Sequence, residues 1–573
     1  MSDDLSDITL TPDLSGPPLG RADVSHTRPT NLDRMWLGCC YYPEHWDAAM
    51  VERDAQRMKD AGVNTVRMAE FAWTLMEPRP GEFDFSLFDR AIDLLAAQGI
   101  DTLLCTPTAT PPRWMTQMHP DMLRVDAAGR VMVHGSRQHC SHMSETLRRY
   151  SKRITRAMAE HWKGHDAVVG WQTDNEFHCH FSEDHSDAAQ LAFQRWCAHK
   201  YESNIAALND AWGTSFWSQQ YDDFTQIVTP RTHAPTFPSP GHALDYFRFL
   251  SDAVALFQRD QVEVLRDVKP DWRIFHNGVF PHIDYRGPFG QDLDFFGVDV
   301  YPLFVEPQDR VAWQSFMLDR TRGYCGNFVV PEQQSGPGGQ GDYFLEPTLP
   351  GELRQFAFRS VARGADGLLF FRWRTARFGA EQYWCGMLDH DDKPGRRFLE
   401  CKQTLGDLAK VGQAALGSRV VVDVAVAAAD ETVNDAHAPL TLGLPKPDKI
   451  AEQVHRAFAG MNLGVGTVHP ADVLDDLRLY VIPHWSYFDP KWADHLRQWV
   501  EAGGTLVVGA RTATRDVRNQ IVADTPPGVF AEMAGVTVAE FGTIRHEDTR
   551  PLSMQMNASF LYPPTAPRAV KHW

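Results

Sequence analysis

Between Leu37 and Phe371 short apolar runs rich in β-branched and aromatic residues alternate with longer stretches whose apolar residues recur at helical spacing. The runs LGCCYY (37–42), NTVRMAE (64–70), DTLLCT (101–106), AVVGWQT (167–173), WRIFH (272–276), FFGVDV (295–300), NFVVPE (327–332) and GLLFF (367–371) read as eight strands. The intervening pattern predicts helices over 46–61, stopped by Gly62, and over 87–98, 144–162 and 351–363. Repeated strand–helix alternation implies a parallel sheet, and eight units permit closure into an α/β fold of the (β/α)8 TIM-barrel type. The alternative is an open doubly wound sheet. No glycine-rich phosphate loop follows any of the strands, which removes the main reason to prefer it.

After about Gly417 the texture changes. RVVVDVAVAAAD and LRLYVIPHW read as strands, followed by a helix over 491–502 and a last strand in GGTLVVGA. The expected organisation is a flexible N-terminal arm over 1–33, a catalytic barrel over 34–415, a smaller α/β domain over 416–545 and a tail over 546–573.

Polar and aromatic groups collect at the C-terminal ends of the barrel strands: Glu70, Asp174 to Glu176, His276-Asn277, Asp299 to Tyr301, Glu332-Gln333 and Arg372 to Arg374. A closed barrel points all of these to one face, where its active site is built. Glu176 and Glu332 end the fourth and seventh strands, which face each other across such a barrel. Hydrolysis of a glycosidic bond needs two carboxyl groups flanking one carbon, one to protonate the leaving oxygen and one to attack or to activate water. Asn175 offers a neutral amide beside Glu176, and Tyr301 a hydroxyl for Glu332. Arg137 either clamps substrate or holds a loop. Trp212 and Trp217 either stack on a sugar ring or pack a turn, and Glu70 either serves the site or pairs with Arg67.

Composition changes this picture little. A hydrophobic content of 43% and a charged content of 23% are ordinary for a soluble globular protein. The net charge of −18 disfavours nucleic acid or an anionic membrane surface as partner. No stretch approaches the length of a membrane span, and the acidic N-terminus lacks the form of a signal peptide. Nine scattered cysteines are no disulfide framework, so a cytoplasmic location is expected.

The motifs LGCCYYPEHW (37–46), RMAEFAW leading into MEPRPGEFDF (67–85), WQTDNE (171–176), AWGTSFWS (211–218), PEQ (331–333) and GAEQYWCGMLDH (379–390) resemble glycoside hydrolase family 42 over about residues 35–545. The resemblance implies a retaining exo-β-D-galactosidase with a TIM barrel and a trimerisation domain, a homotrimer acting on a small galactoside or oligosaccharide. It implies Glu176 as general acid/base and Glu332 as nucleophile. Arg137 and Asn175 become donors to the sugar, Trp217 a stacking platform, Tyr301 the partner of the nucleophile, and Glu381 an acceptor for sugar hydroxyls. His180 occupies the place of a usual histidine, although His178 stands where the family has glycine.

Three departures stand out, the first bearing on stability and the other two on what the pocket accepts. FHCHFSEDHSD offers only Cys179 after the acid/base, so neither the family's zinc cluster nor any other metal or cofactor is expected. EQQSGPGGQGDYF lacks the Asn-Trp that usually follows the nucleophile, and Trp384 replaces a histidine next to the sugar. The last two changes widen the possible sugars to β-D-fucosides and α-L-arabinopyranosides. A catalytically silent sugar-binding protein is a further reading, which the presence of both Glu176 and Glu332 disfavours. The chain is also expected to end before the family's small C-terminal β domain.

Overall fold

The computed structural model describes residues 5–20, 27–231 and 237–540, residue 542, and the backbone alone of 550–551 and 569–570. Seven parallel strands form the main sheet: β1 (Trp36–Cys40), β2 (Thr65–Met68), β3 (Asp101–Cys105), β4 (Val168–Gln172), β5 (Arg273–Phe275), β6 (Phe328–Gln334) and β7 (Ala365–Phe371). Their order is β5-β4-β3-β2-β1-β7-β6, so the two ends of the sheet are β5 and β6. Residues 294–300 close the gap. Asp294 and Gly297 donate backbone N–H groups to Ile274 and His276 at 2.9 and 2.7 Å, and Val298 and Val300 donate to Val329 and Glu332 at 3.1 and 2.8 Å. The protein is a closed (β/α)8 barrel, with the run FFGVDV as its irregular member.

That irregularity has a local cause. Pro331 lacks the N–H that a ladder needs, and the register of β6 against β7 slips between Val330 and Gln333. Across from it, a Cβ on Gly297 would stand 2.8 Å from the Pro331 ring and 2.9 Å from the His276 carbonyl, so only glycine permits the approach. Trp36, Leu103, Phe275, Phe295, Val329 and Leu369 form a buried cluster in the barrel interior, beneath the rim that carries the polar residues. A larger buried cluster lies between the strands and the helices outside them.

The helix ends follow the capping chemistry that their sequences carry. Helix Ala48–Asp60 starts at Asp47, whose side chain accepts from the Met50 amide, and helix Glu145–Trp162 starts at Ser144, which accepts from Leu147. Both begin one or two residues from where periodicity placed them.

Over its described residues the N-terminal segment is tied to the barrel, which corrects the expected flexible arm. The Thr11 amide donates to Asp260 at 3.0 Å and its hydroxyl to Glu263 at 2.6 Å, while Arg148 donates to the Thr11 carbonyl at 2.6 Å. Farther on, Leu19 N–H reaches Asp292 at 3.0 Å and the Thr30 hydroxyl reaches Asp366 at 2.6 Å. Every one of these partners is more than one hundred residues away in sequence, beyond the reach of local pattern.

The second sheet has the order β9-β8-β10-β11, all parallel, from β8 (Val424–Ala427), β9 (Val465–Val468), β10 (Leu479–Ile482) and β11 (Thr505–Val508). The run LGVGTV that contains β9 escaped the sequence reading because its two glycines weaken the strand pattern. Helix Arg310–Cys325 of the barrel packs here. A Cβ on Gly323 would lie 2.7 Å from the Thr467 hydroxyl and 2.9 Å from Ala429, and the buried Asp319 accepts from His455 at 2.7 Å.

Removal of residues 1–20 takes the Thr11 groups from the buried Arg148–Asp260 pair, which is held at 2.6 Å. The expected cost is about 1–3 kcal/mol of stability, read as a lower midpoint in denaturant unfolding. An unchanged midpoint would mean that the segment contributes nothing to the barrel.

Candidate active site

The run VGWQTDNE leaves the sheet at Gln172, and Thr173 to Glu176 form a turn rather than a strand end. Asp174 and Glu176 both have left-handed backbone, with φ of 52° and 47°, a conformation that persists only where the surroundings over-determine it. Side chains from neighbouring strands do so here. Thr106 accepts the Asp174 amide at 2.7 Å, and the Thr108 hydroxyl donates to the Asp174 carboxylate at 2.5 Å. Asn277 accepts the Glu176 amide at 3.0 Å, and His276 accepts that of Phe177 at 3.1 Å. Gln138 donates to the carbonyls of Asn175 and Glu176 at 3.0 and 2.6 Å. His276 also donates from Nδ1 to the Thr173 carbonyl at 2.7 Å, which assigns it the neutral tautomer; burial pushes its pKa down to about 3.

The turn delivers Glu176 to the barrel mouth, where carboxyl oxygens of Glu176, Glu332 and Asp299 all lie within 4.8 Å of one another. Glu332 stands inside β6, two residues before its end, rather than closing the strand. The Arg67 guanidinium, wholly buried on β2, pairs with Glu70 at 2.6 Å and with Glu332 at 2.8 Å. Tyr301 donates its hydroxyl to the other oxygen of Glu332. Asn277 donates to Asn175 at 3.1 Å and to Asp299 at 2.7 Å. Burial raises the pKa of Glu332, and the Glu176 charge adds to this, while Arg67 and Tyr301 oppose it. Burial also disfavours the Glu70 anion, but Arg67 and the Tyr42 hydroxyl at 2.6 Å outweigh it and leave that carboxyl below its ordinary value. Glu70 is therefore the structural counter-ion of Arg67.

Arg137 pairs with Glu176 at 3.0 Å, lies over the Phe71 ring at 5.5 Å and donates to Nε2 of His180, which is thereby the acceptor. Asn175 donates to Glu176 at 3.3 Å. Glu381 pairs with Arg372 at 3.4 Å and is raised by burial, which Arg137 and Arg372 oppose. All of these except Asn175 and Arg372 line a cavity of about 240 Å³, together with Asp299, Tyr301, Glu332, Tyr343, Phe304 and Trp384. Two larger clefts, of about 500 and 790 Å³, occur elsewhere among the described residues, and neither contains either glutamate. The convergence of carboxyl groups, and not cavity size, locates the site.

Trp217 is not brought into this cavity. It sits on the exposed turn Phe216–Ser218, 64% exposed, against Phe216. Its neighbour Trp212 is a core residue whose indole donates to Asp245 at 2.9 Å. The wall expected from an Asn-Trp is built by a short hairpin pairing Gly339–Gln340 with Tyr343–Phe344. Tyr343 faces the cavity beside Phe304, with ring centroids 5.8 Å apart, whereas Phe344 is exposed. The Trp384 indole N–H donates to Gln340 at 2.9 Å, and its ring meets Tyr301 edge to face at 4.9 Å. A Cβ on Gly338 would stand 2.9 Å from that ring. Asn277 and Asp299 are legible in the sequence only as strand-end positions, and Arg67 only as an alternative partner for Glu70; their pairing follows from closure of the barrel.

Among the described residues, two sets of three groups have ligand atoms within 4.8 Å of one another: Glu176 with Cys179 and His180, and Glu176 with Asp299 and Glu332. In the first set Arg137 already places a positive charge on both Glu176 and His180, which opposes a cation there.

Two glutamates converging on the C-terminal rim of a closed barrel, with aromatic walls around them, define a glycoside hydrolase site. The chain belongs to glycoside hydrolase family 42: the family model described as β-galactosidase matches residues 40–411, and the β-galactosidase trimerisation domain matches residues 429–563. It is 37% identical to the β-galactosidase BgaA of a Thermus species over 515 residues, 86% of this chain and 78% of the relative. It is 35% identical to the β-galactosidase BgaH of Haloferax lucentense, over 90% of this chain and 79% of that protein. The crystal structure of β-galactosidase from the psychrophilic Marinomonas ef1 superposes with a TM-score of 0.84 at 32% identity, covering 90% of this chain and 82% of that one.

Arg67→Gln leaves Glu332 and Glu70 buried without their counter-ion. Loss of one partner of a buried pair costs about 3–5 kcal/mol. Because Glu332 is already raised and Arg67 is the main group opposing this, its carboxyl moves higher still in the variant. The acid limb of the kcat/KM profile should therefore shift to higher pH. A variant with an unmoved acid limb would show that Arg67 does not set the charge of Glu332.

Proposed function

We propose that the protein is a retaining exo-β-D-galactosidase that hydrolyses terminal non-reducing galactosides through a glycosyl-enzyme intermediate, with Glu332 as nucleophile and Glu176 as general acid/base. The observation that carries this reading is the close approach of their carboxyl oxygens, within 4.8 Å. An inverting pair stands about 6.5–9.5 Å apart to admit a water molecule, a retaining pair about 5–5.5 Å. Glu332 attacks the anomeric carbon while Glu176 gives its proton to the leaving oxygen. The ester neutralises Glu332, after which Glu176 takes a proton from water and the sugar leaves with retained configuration. Tyr301 and Arg67 hold the Glu332 anion, and Arg137, Asn175, His180 and Glu381 present donors and acceptors to the sugar hydroxyls.

A 2-fluoro sugar should label Glu332 covalently, and Glu332→Gly should be nearly inactive. In Glu176→Ala, activated aryl leaving groups should suffer about a hundredfold less than alkyl or sugar ones, since only the latter need the acid. Label on another carboxyl, or equal losses for both leaving-group classes, would remove these assignments.

The sugar preference follows from the walls. The indole N–H of Trp384 is already given to Gln340, so it does not replace the imidazole donor that this position has in the family. A buried hydroxyl left without its partner costs about 1–3 kcal/mol. Where that hydroxyl is O6 rather than the axial hydroxyl, sugars without the O6 group lose nothing by the change. We therefore expect β-D-fucosides and α-L-arabinopyranosides to be cleaved comparatively well beside β-D-galactosides. Matched aryl glycosides of the three sugars, assayed on the native protein and on Trp384→His, decide the point. An overwhelming galactoside preference that the substitution leaves unchanged would refute it.

A homotrimer is the expected assembly, supported by the match of residues 429–563 to a trimerisation domain and by the preference of homo-oligomers for closed symmetry. Small-angle scattering should give three chains; a fully active monomer would contradict it. The nine cysteines are all unpaired and eight are buried, which fits a reducing, cytoplasmic setting.

A further inference from the structure

Asp299 is the third carboxyl of the cluster, and the two-carboxyl mechanism gives it no task. It comes from the segment that closes the barrel, between Asn277 after β5 and Glu332 on β6. Its Oδ2 accepts from Asn277 at 2.7 Å, while Oδ1 is buried with no hydrogen-bond partner. The cations nearby are committed elsewhere. Arg67 pairs with Glu70 and Glu332, and Arg137 pairs with Glu176; no ion pair to Asp299 occurs among the described residues. The groups facing it are Glu176 and Cys179 on the turn after β4, Glu332 on β6, Arg67 on β2 and Tyr301 two residues along its own segment. Three anions within 4.8 Å of one another, largely out of water and sharing this supply of positive charge, repel one another too strongly to ionise together.

We propose that Asp299 is a neutral carboxylic acid in the working enzyme, a positioning residue whose Oδ1–H donates to the Glu176 carboxyl. The inference rests on the reading of Glu176 as acid/base. It gives the buried, unpartnered Oδ1 a hydrogen bond and places a donor where negative charge develops as Glu176 releases its proton. Asp299 keeps its own proton throughout: the proton gained by the leaving group comes from Glu176, and the one returned comes from water. A carboxylic acid kept neutral in order to donate a hydrogen bond is a known catalytic device. Burial first, then the charges of Glu332 and Glu176, push the carboxyl well above the ordinary aspartate range against the pull of Arg67.

The test compares the native enzyme with Asp299→Asn, which keeps shape, neutrality and a donor, and with Asp299→Leu, which keeps only bulk. If Asp299 is neutral, Asp299→Asn should lose about tenfold or less in kcat/KM with the basic limb of its pH profile in place, while Asp299→Leu should lose about a hundredfold or more on alkyl galactosides. If Asp299 is instead an anion, its replacement by Asn removes a negative charge beside Glu176 and moves the basic limb down by about one pH unit or more, which would overturn the proposal. Infrared difference spectra of native protein against Asp299→Asn read the proton directly. A carboxylic-acid C=O band should be lost in the variant near neutral pH, and loss of a carboxylate band instead would overturn the proposal whatever the kinetics show. The infrared result does not depend on the role of Glu176, which the leaving-group comparison of Glu176→Ala tests separately.

Discussion

The site depends on one buried guanidinium. Arg67 is fully enclosed on β2 and touches Glu70 from its own strand end and Glu332 from the far side of the mouth. A buried positive charge of this kind is stable only when paired, and the carboxylates around it are tolerable only because it is there. Glu70 supplies a lasting negative partner, so neutralising Glu332 would not leave Arg67 uncompensated. Asn277 and the turn from Thr173 to Glu176 then fix the distance at which the second glutamate faces the first. The geometry of the pair is a consequence of this arrangement, with Arg67 and Glu332 on strands and Glu176 on the turn held against them.

Much of the barrel was legible in the chain because period and spacing are local signals. Seven of the eight apolar runs fall on the strands and the eighth, FFGVDV, on the segment that closes the barrel, and Asp47 and Ser144 mark helix starts as their side chains require. Glu176 and Glu332 were legible as a pair from their strand-end positions. What local pattern could not carry was pairing at a distance. Thr11 looks like any threonine in a polar segment until Asp260 and Arg148 are folded against it. Arg67 looks like a strand residue with a neighbouring glutamate, and its contact with Glu332 appears only on closure of the sheet. Trp217, legible as either a stacking platform or the packing of a turn, lies within one chain on an exposed turn outside the cavity.

The machinery and the walls of the cavity obey different constraints. Arg67, Asn277, Tyr301 and the two glutamates bond to one another, so a change in any one leaves a buried polar group unpaired. The hairpin that carries Gln340 and Tyr343, and the indole of Trp384 that it fixes, pack through ring contacts and one amide. Such a wall can be rebuilt with other residues at modest cost. Two of the three departures from the family pattern, the missing Asn-Trp and Trp384, fall on this wall, while the charged groups beneath it are retained.

The central claim is that Glu332 and Glu176 stand close enough to work as a retaining pair. Proton NMR of the first sugar released from an aryl β-D-galactoside, recorded before mutarotation, tests it most directly. The account expects the β-anomer to appear first and the α-anomer to grow only as the solution equilibrates. Initial release of the α-anomer would mean inversion, with a water molecule between the two carboxyl groups, and would contradict the account.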